Sequence, residues 1–241
     1  MLKIILPVFI TFFAIAAVNA QPGKKAVEFY KAGLKLKSEN KFPEALVAFN
    51  NATRFYLQYD SAWVEAGTLY RNSNQLDYSI FCYNRAIAVS PKMEAAWIAM
   101  GNLYRDVKPN LDSALICFSK ALSIDSTNKE TYYSMAWCYN AKSEFNNAIP
   151  YAIKALEIDN SYRAAYSELG HAYRRSEKFA EAIVQFKKNI AISPVDLPML
   201  YAGLCYTMLK DKEGALQQYE ALKKINEKMA ASLKKQIDAM Q

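Results

Sequence analysis

The chain is poor in the residues that most chemistry needs. Among 241 residues there is one histidine, seven glycines and four cysteines. Cys82, Cys117, Cys138 and Cys205 form no CxxC pair and have no metal-ligand spacing, which excludes the usual zinc and redox motifs. No glycine-rich loop is available to cradle a phosphate, and no His/Cys/Asp/Glu cluster gathers in sequence. A nucleophile needs a base within reach, and His171 has no such partner beside it in sequence. Catalysis is therefore not expected, and neither is a cofactor or a metal. After residue 20 no apolar stretch approaches the roughly 20 residues of a membrane span. Dense basic blocks are also lacking, so the charge excess permits anionic partners without demanding them.

The first twenty residues follow different rules. Met1-Leu2-Lys3 gives a short positive start, Ile4 to Val18 is apolar apart from Pro7 and Thr11, and Val18-Asn19-Ala20 offers small residues before a polar segment. This three-part layout predicts a secretory signal peptide cleaved after Ala20. The mature protein would then be periplasmic or secreted. Losing Lys3 with the leader lowers the formal net charge from +7 to +6. Export permits disulfides. Each cysteine nevertheless falls where a small buried helix residue is expected, and Cys117–Cys138 is the one pair placed to bridge.

Five of the seven glycines lie on a ruler of 33 to 35 residues or its double: Gly33, Gly67, Gly101, Gly170 and Gly203, with Ala136 in the empty slot. A period in this range marks a stacked helical-repeat array. Four residues before each slot stands Phe29, Trp63, Trp97, Tyr132, Tyr166 or Met199. Three after it stands Leu36, Tyr70, Tyr104, Tyr139, Tyr173 or Tyr206. Ala45, Ser79, Ala114, Ala148, Ala182 or Ala215 comes about twelve residues after the slot. Four further on is Phe49, Tyr83, Phe118, Ala152, Phe186 or Tyr219. Offsets of three, four and seven place these residues on one face of a helix, and a polar break such as Ser38-Glu39-Asn40-Lys41 separates the two helices of each unit.

The units read 26–59, 60–93, 94–128, 129–162, 163–195 and 196–229, after a short lead over 21–25. The third has one extra residue, placed in the turn around Lys108-Pro109-Asn110. Pro43 and Pro198 fall in first helical turns, while Pro91 and Pro194 fall at helix ends. Pro150 lies deeper in its helix and predicts a bend. Asn189 and Leu222 replace the alanine expected late in the second helix, which predicts looser packing in the last two units. Met229, Leu233, Ile237 and Met240 then recur at helical spacing, and residues 230–241 complete a polar-backed capping helix. No comparable cap precedes the first helix, so that end is a candidate for self-association.

Trp97, Met100, Gly101, Tyr104, Ala114, Phe118 and Ala121 resemble the tetratricopeptide repeat pattern, as do Trp63, Gly67, Tyr70, Tyr83, Ala86 and Pro91. The resemblance covers residues 26 to about 229. It implies an all-α, right-handed superhelical solenoid of six helix-turn-helix repeats, with first helices lining a concave groove that binds protein segments. The residues four after the slot are then a ladder along that groove: Lys37, Arg71, Arg105, Asn140, Arg174 and Thr207. Arg175, Asn102, Tyr30, Tyr133, Trp137 and His171 would share the surface.

Arginines beside aromatics suit carboxylates and extended peptides, since guanidinium binds oxyanions through two N–H groups and stacks on rings. The expected partner is therefore a protein or peptide with acidic groups, held by Arg71, Arg105, Arg174 and Arg175 and anchored by Trp137 and Tyr133. The carboxylate clamp of chaperone-associated relatives is not matched, because unit one offers Tyr30 and Leu34 where lysine and asparagine are needed. Two other readings stay open: an anionic polymer along the ladder, or a structural subunit of an envelope complex.

Overall fold

The structure is a computed structural model that describes residues 21–107 and 109–240; the expected leader over 1–20 lies outside them. The described residues contain thirteen α-helices and no strand, and they divide into two compact units between Pro91 and Lys92.

The first unit holds two helical hairpins. Helix α1 (Lys24–Ser38) packs on α2 (Phe42–Phe55), and α3 (Asp60–Asn72) packs on α4 (Leu76–Val89). Pro43 sits in the first turn of α2, where its missing N–H had no helical partner to lose. Contacts between α2 and α3 join the hairpins. So do Lys37, whose Nζ lies 2.6 Å from Glu65, and Asn50, which donates to the Tyr70 hydroxyl.

The second unit holds four hairpins and a closing helix: α5 (Glu94–Asp106) with α6 (Leu111–Ile124), α7 (Lys129–Ala141) with α8 (Phe145–Ile158), α9 (Arg163–Arg175) with α10 (Phe179–Ile192), and α11 (Asp196–Met208) with α12 (Lys212–Lys223), then α13 (Glu227–Asp238). Helix α8 runs unbroken through Pro150, its sixth residue. Each hairpin packs on the next, and α7 also touches α9 directly. Across this unit, polar ties spaced about one repeat apart recur: Asn128 to Glu94, Lys129 to Asp159, Asn226 to Asp196.

At four of the five glycine slots the second helix of the same hairpin lies directly against the first. All six small residues twelve or so places after the slots are fully buried. Opposite Gly33, Gly101 and Gly170 stand the rings of Phe49, Phe118 and Phe186, and opposite Gly67 that of Tyr83. A Cβ added at any of the four would fall 2.6–2.7 Å from a ring carbon, closer than real contacts allow. The fourth hairpin has alanine in the slot, and there the facing residue is Ala152, also fully buried. The extra methyl is thus matched by loss of the ring.

The turns inside five hairpins share a second device. Asn40, Asn74, Ser143, Glu177 and Lys210 all have φ near +60°, the left-handed region. The next residue's N–H then reaches back five places: Lys41 to the Leu36 carbonyl, Gln75 to Tyr70, Glu144 to Tyr139, Lys178 to Tyr173, Asp211 to Tyr206. This is the helix-ending bond that glycine usually supplies at least cost. In the third hairpin the corresponding bond runs from Asn110 to the Tyr104 carbonyl, six places back, so the extra residue lies in this turn.

The looser packing expected from Asn189 and Leu222 is not found. Leu222 is fully buried in the cluster closed by Met199, Ala215, Ala230, Leu233 and Ile237. Asn189 is 1% exposed, and its amide donates to the Arg163 carbonyl and the Ser167 hydroxyl. A polar amide fills the alanine position because α9 supplies acceptors for its N–H groups, while its Oδ1 is buried without a donor. Helix α13 does the covering that its spacing predicts, with Met229 and Met240 packed against the same cluster.

Candidate functional site

In the second unit the first helices of successive hairpins, α7, α9 and α11, lie side by side and frame a cavity of about 310 Å³. Trp137, Asn140 and Ala141 come from α7, Ser167, Glu168 and His171 from α9, and Leu197, Pro198 and Tyr201 from α11, with Phe186 of α10 below. Repeat spacing explains the grouping. Residues 137, 171 and neighbouring positions occupy equivalent places on equivalent helices, so stacking brings them together although 34 residues separate them.

The polar atoms of the cavity are unevenly matched. Asn140 is 7% exposed; its amide nitrogen donates to the Glu168 carbonyl at 3.0 Å and to Glu168 Oε2 at 2.8 Å. Its Oδ1 is buried and accepts nothing. Burial pushes the Glu168 carboxyl above its ordinary range, against the downward pull of the Asn140 bond. His171 stands edge-on to Phe145 and Tyr201, and burial together with Arg174 and Arg175 pushes its imidazole down.

The expected ladder is divided in its bonding. Arg105 chelates Asp106, donates to the Ser134 hydroxyl at 2.7 Å and lies over Phe118 and Trp137. Lys37 of the first unit is paired with Glu65. Arg174 differs: its guanidinium lies 4.7 Å from the Tyr201 ring centre, it has no acidic partner among the described ion pairs, and its Nε is buried and unbonded. It lines a separate hollow of about 250 Å³ with Phe179, Leu204 and Met208.

Arg175 is exposed, lies over Phe145 and lines a different hollow with Ser143, Asn147 and Lys178. Tyr133 packs edge-on against Tyr162, and Asn102 is half-buried on α5. Arg71 is half-buried at the end of α3 in the first unit, where Tyr30 packs against Phe49 and Tyr59. Of the nine residues singled out by sequence, the cavity gathers Trp137 and His171, and Arg105 and Arg174 stand on its aromatic walls.

Glu168 and Tyr201, which also line the cavity, are not among the residues singled out by sequence. A signal existed: position two before the slot reads Glu65, Ser134, Glu168 and Tyr201, and each of these meets the ladder residue one repeat earlier.

All four cysteines are buried and free, so Cys117 and Cys138 are not bridged. Burial raises the Cys82 thiol to about 12 and those of Cys117, Cys138 and Cys205 to about 11, so none is a thiolate at neutral pH. Among the described residues no group of His, Cys, Asp and Glu is arranged to hold a metal, and no helix is long and apolar enough to cross a membrane.

A tetratricopeptide repeat family model matches residues 60–93, 129–162 and 164–196. No curated protein matches the chain in sequence. Among solved structures, YrrB, described as a tetratricopeptide repeat protein with an unusual peptide-binding site, is 22% identical with a TM-score of 0.69, covering 78% of this chain and 98% of its own. PilF of Pseudomonas aeruginosa is 12% identical with a TM-score of 0.73, covering 88% and 97%. A tetratricopeptide repeat protein from Parabacteroides merdae is 16% identical with a TM-score of 0.68, covering 90% and 94%. At these identities the likeness is one of fold. Taken with the repeat matches and hairpins that share one register, it gives this chain the tetratricopeptide repeat fold, with residues 60–93, 129–162 and 164–196 matching the family itself.

Proposed function

We propose that this protein is an exported, non-catalytic scaffold that captures a segment of a partner protein on the face formed by α7, α9 and α11. The observation that carries the reading is the cavity between these helices, apolar on its walls and holding a buried acceptor without a donor. A folded surface rarely leaves such an atom unpaired, because an unmade buried bond costs about 1–3 kcal/mol. The peptide-binding site named for YrrB, on a similar fold, supports the same use of the array.

Acidic groups of the segment would meet Arg174, which has no carboxylate partner among the described ion pairs. Because Lys37 and Arg105 are already paired, a continuous track for an anionic polymer has few free cations to draw on. Affinity purification of partners with the native chain, Trp137→Ala and Arg174→Glu tests the reading. Both variants should lower recovery of the same partner by at least tenfold at unchanged helical content, as expected for a desolvated aromatic or arginine anchor. Undiminished recovery by both would refute the groove.

Export rests on residues 1–20, whose layout is that of a cleavable leader. Sequencing the amino terminus of the mature protein should read Gln21-Pro22-Gly23, and retention of Met1 would overturn export by cleavage.

A further inference from the structure

The cavity beside Arg174 has the opposite chemistry to the arginine. Its polar lining includes two acceptors with spare capacity, on Asn140 and Glu168. Asn140 spends its amide hydrogens on Glu168 and leaves Oδ1 empty, although the residue is more than nine-tenths buried. Glu168 receives one side-chain bond, from Asn140, and no cation lies within ion-pair distance of it among the described residues. The Ser167 hydroxyl already accepts from Asn189.

The walls add a second preference. The rings of Trp137 and Tyr201 already hold guanidinium groups, Arg105 over one and Arg174 over the other, while Phe186, Leu197 and Pro198 would pack against an aliphatic stem. A volume of about 310 Å³ holds one long side chain comfortably. A carboxylate entering here would meet Glu168 and an oxygen lone pair; an apolar side chain would leave both acceptors desolvated. A basic side chain answers both features: stem on the apolar walls, N–H groups on the oxygens.

We propose that this cavity is a subsite for a lysine or arginine side chain of the captured segment, its N–H groups donated to the Glu168 carboxylate and to Asn140 Oδ1. The nearby arginines do not close it to a cation. Arg105 is neutralised by chelating Asp106, and Arg174, over the Tyr201 ring, is the nearby cation that the Glu168 charge offsets. A segment that uses both places then carries a basic residue close to an acidic one. The inference rests on the groove reading, but it concerns one pocket and is separable from it.

The indole N–H resonance of Trp137, identified by its loss in Trp137→Phe, reports on the cavity in the full mature chain. Nα-acetyl-lysine methylamide and Nα-acetyl-arginine methylamide are the probes, with the norleucine and glutamate counterparts as controls. The basic probes should shift this resonance saturably, and the controls should bind at least tenfold more weakly. Glu168→Gln, which keeps the acceptor for Asn140 and removes the charge, should weaken the basic probes at least tenfold with no loss of thermal stability. Arg174→Glu should leave them bound as tightly or more so. Equal binding of norleucine, absence of any saturable shift, or indifference to Glu168→Gln overturns the subsite. Should the basic probes fail while Trp137→Ala and Arg174→Glu still abolish partner capture, the groove stands and the subsite falls. The converse result, probe binding with undiminished capture, removes the groove reading and leaves the pocket.

Discussion

Gly101→Ala should destabilise the second unit by about 3 kcal/mol, the upper part of the range for overpacking a core. The added Cβ would lie 2.6 Å from Phe118 Cε1 and 2.8 Å from Cδ1, and the ring is fully buried among Ala114, Leu115, Met135 and Cys138. Neither helix can give way without disturbing the next hairpin. The roughly 1 kcal/mol that alanine gains over glycine in a helix is too small to reverse the sign. Phe118→Ala alone should cost about 3–5 kcal/mol through the cavity it leaves. The double variant recreates the Ala136–Ala152 pairing of the neighbouring hairpin, so its cost should fall short of the sum by 1 kcal/mol or more. Denaturant unfolding of the four proteins measures this. Strict additivity would mean that the small and large residues are not matched to one another.

Leu233→Ala should have an effect of similar size but different reach. Leu233 is fully buried and is the nearest side chain to Gly203, where it takes the place that a ring holds in the other glycine-bearing hairpins. Truncating a buried leucine costs about 2–5 kcal/mol. Because each repeat of an array touches only its neighbours, the loss should stay near the end where it is made. Hydrogen exchange should therefore accelerate in α11, α12 and α13 while α5 to α8 keep their protection. Uniform acceleration across the second unit would show that the array unfolds as one body and that α13 is no local cap.

The comparison of glycine slots shows why so much of the fold was legible. Helix packing repeats at fixed spacing, and a glycine facing a ring is written in the sequence twice, once on each helix. Asn189 misled because a lone residue type was read without its partners; the acceptors that make it welcome are on Arg163 and Ser167, more than twenty residues away. The left-handed turn residues were also hidden, since none of Asn40, Asn74, Ser143, Glu177 and Lys210 is a glycine.

The site was legible as a surface and not as a set of bonds. Counting four residues on from each slot found the ladder, but what each ladder residue meets depends on the residue 27 to 29 places later. Lys37 meets Glu65, Arg105 meets Ser134, and Arg174 meets a ring instead of an acid. Glu168 was overlooked for the same reason: its importance lies in what Asn140 leaves unsatisfied, which no spacing rule displays.

The buried cysteines have a practical consequence. Cys82 lies on α4, Cys117 on α6, Cys138 on α7 and Cys205 on α11, each 4% exposed or less. An alkylating reagent can reach such a thiol only while its surroundings are open, and the four sites fall in four different hairpins. The native chain thus carries its own set of position-specific clocks, from which mass spectrometry of alkylated peptides can read the order in which the repeats breathe, without adding a label or changing a residue.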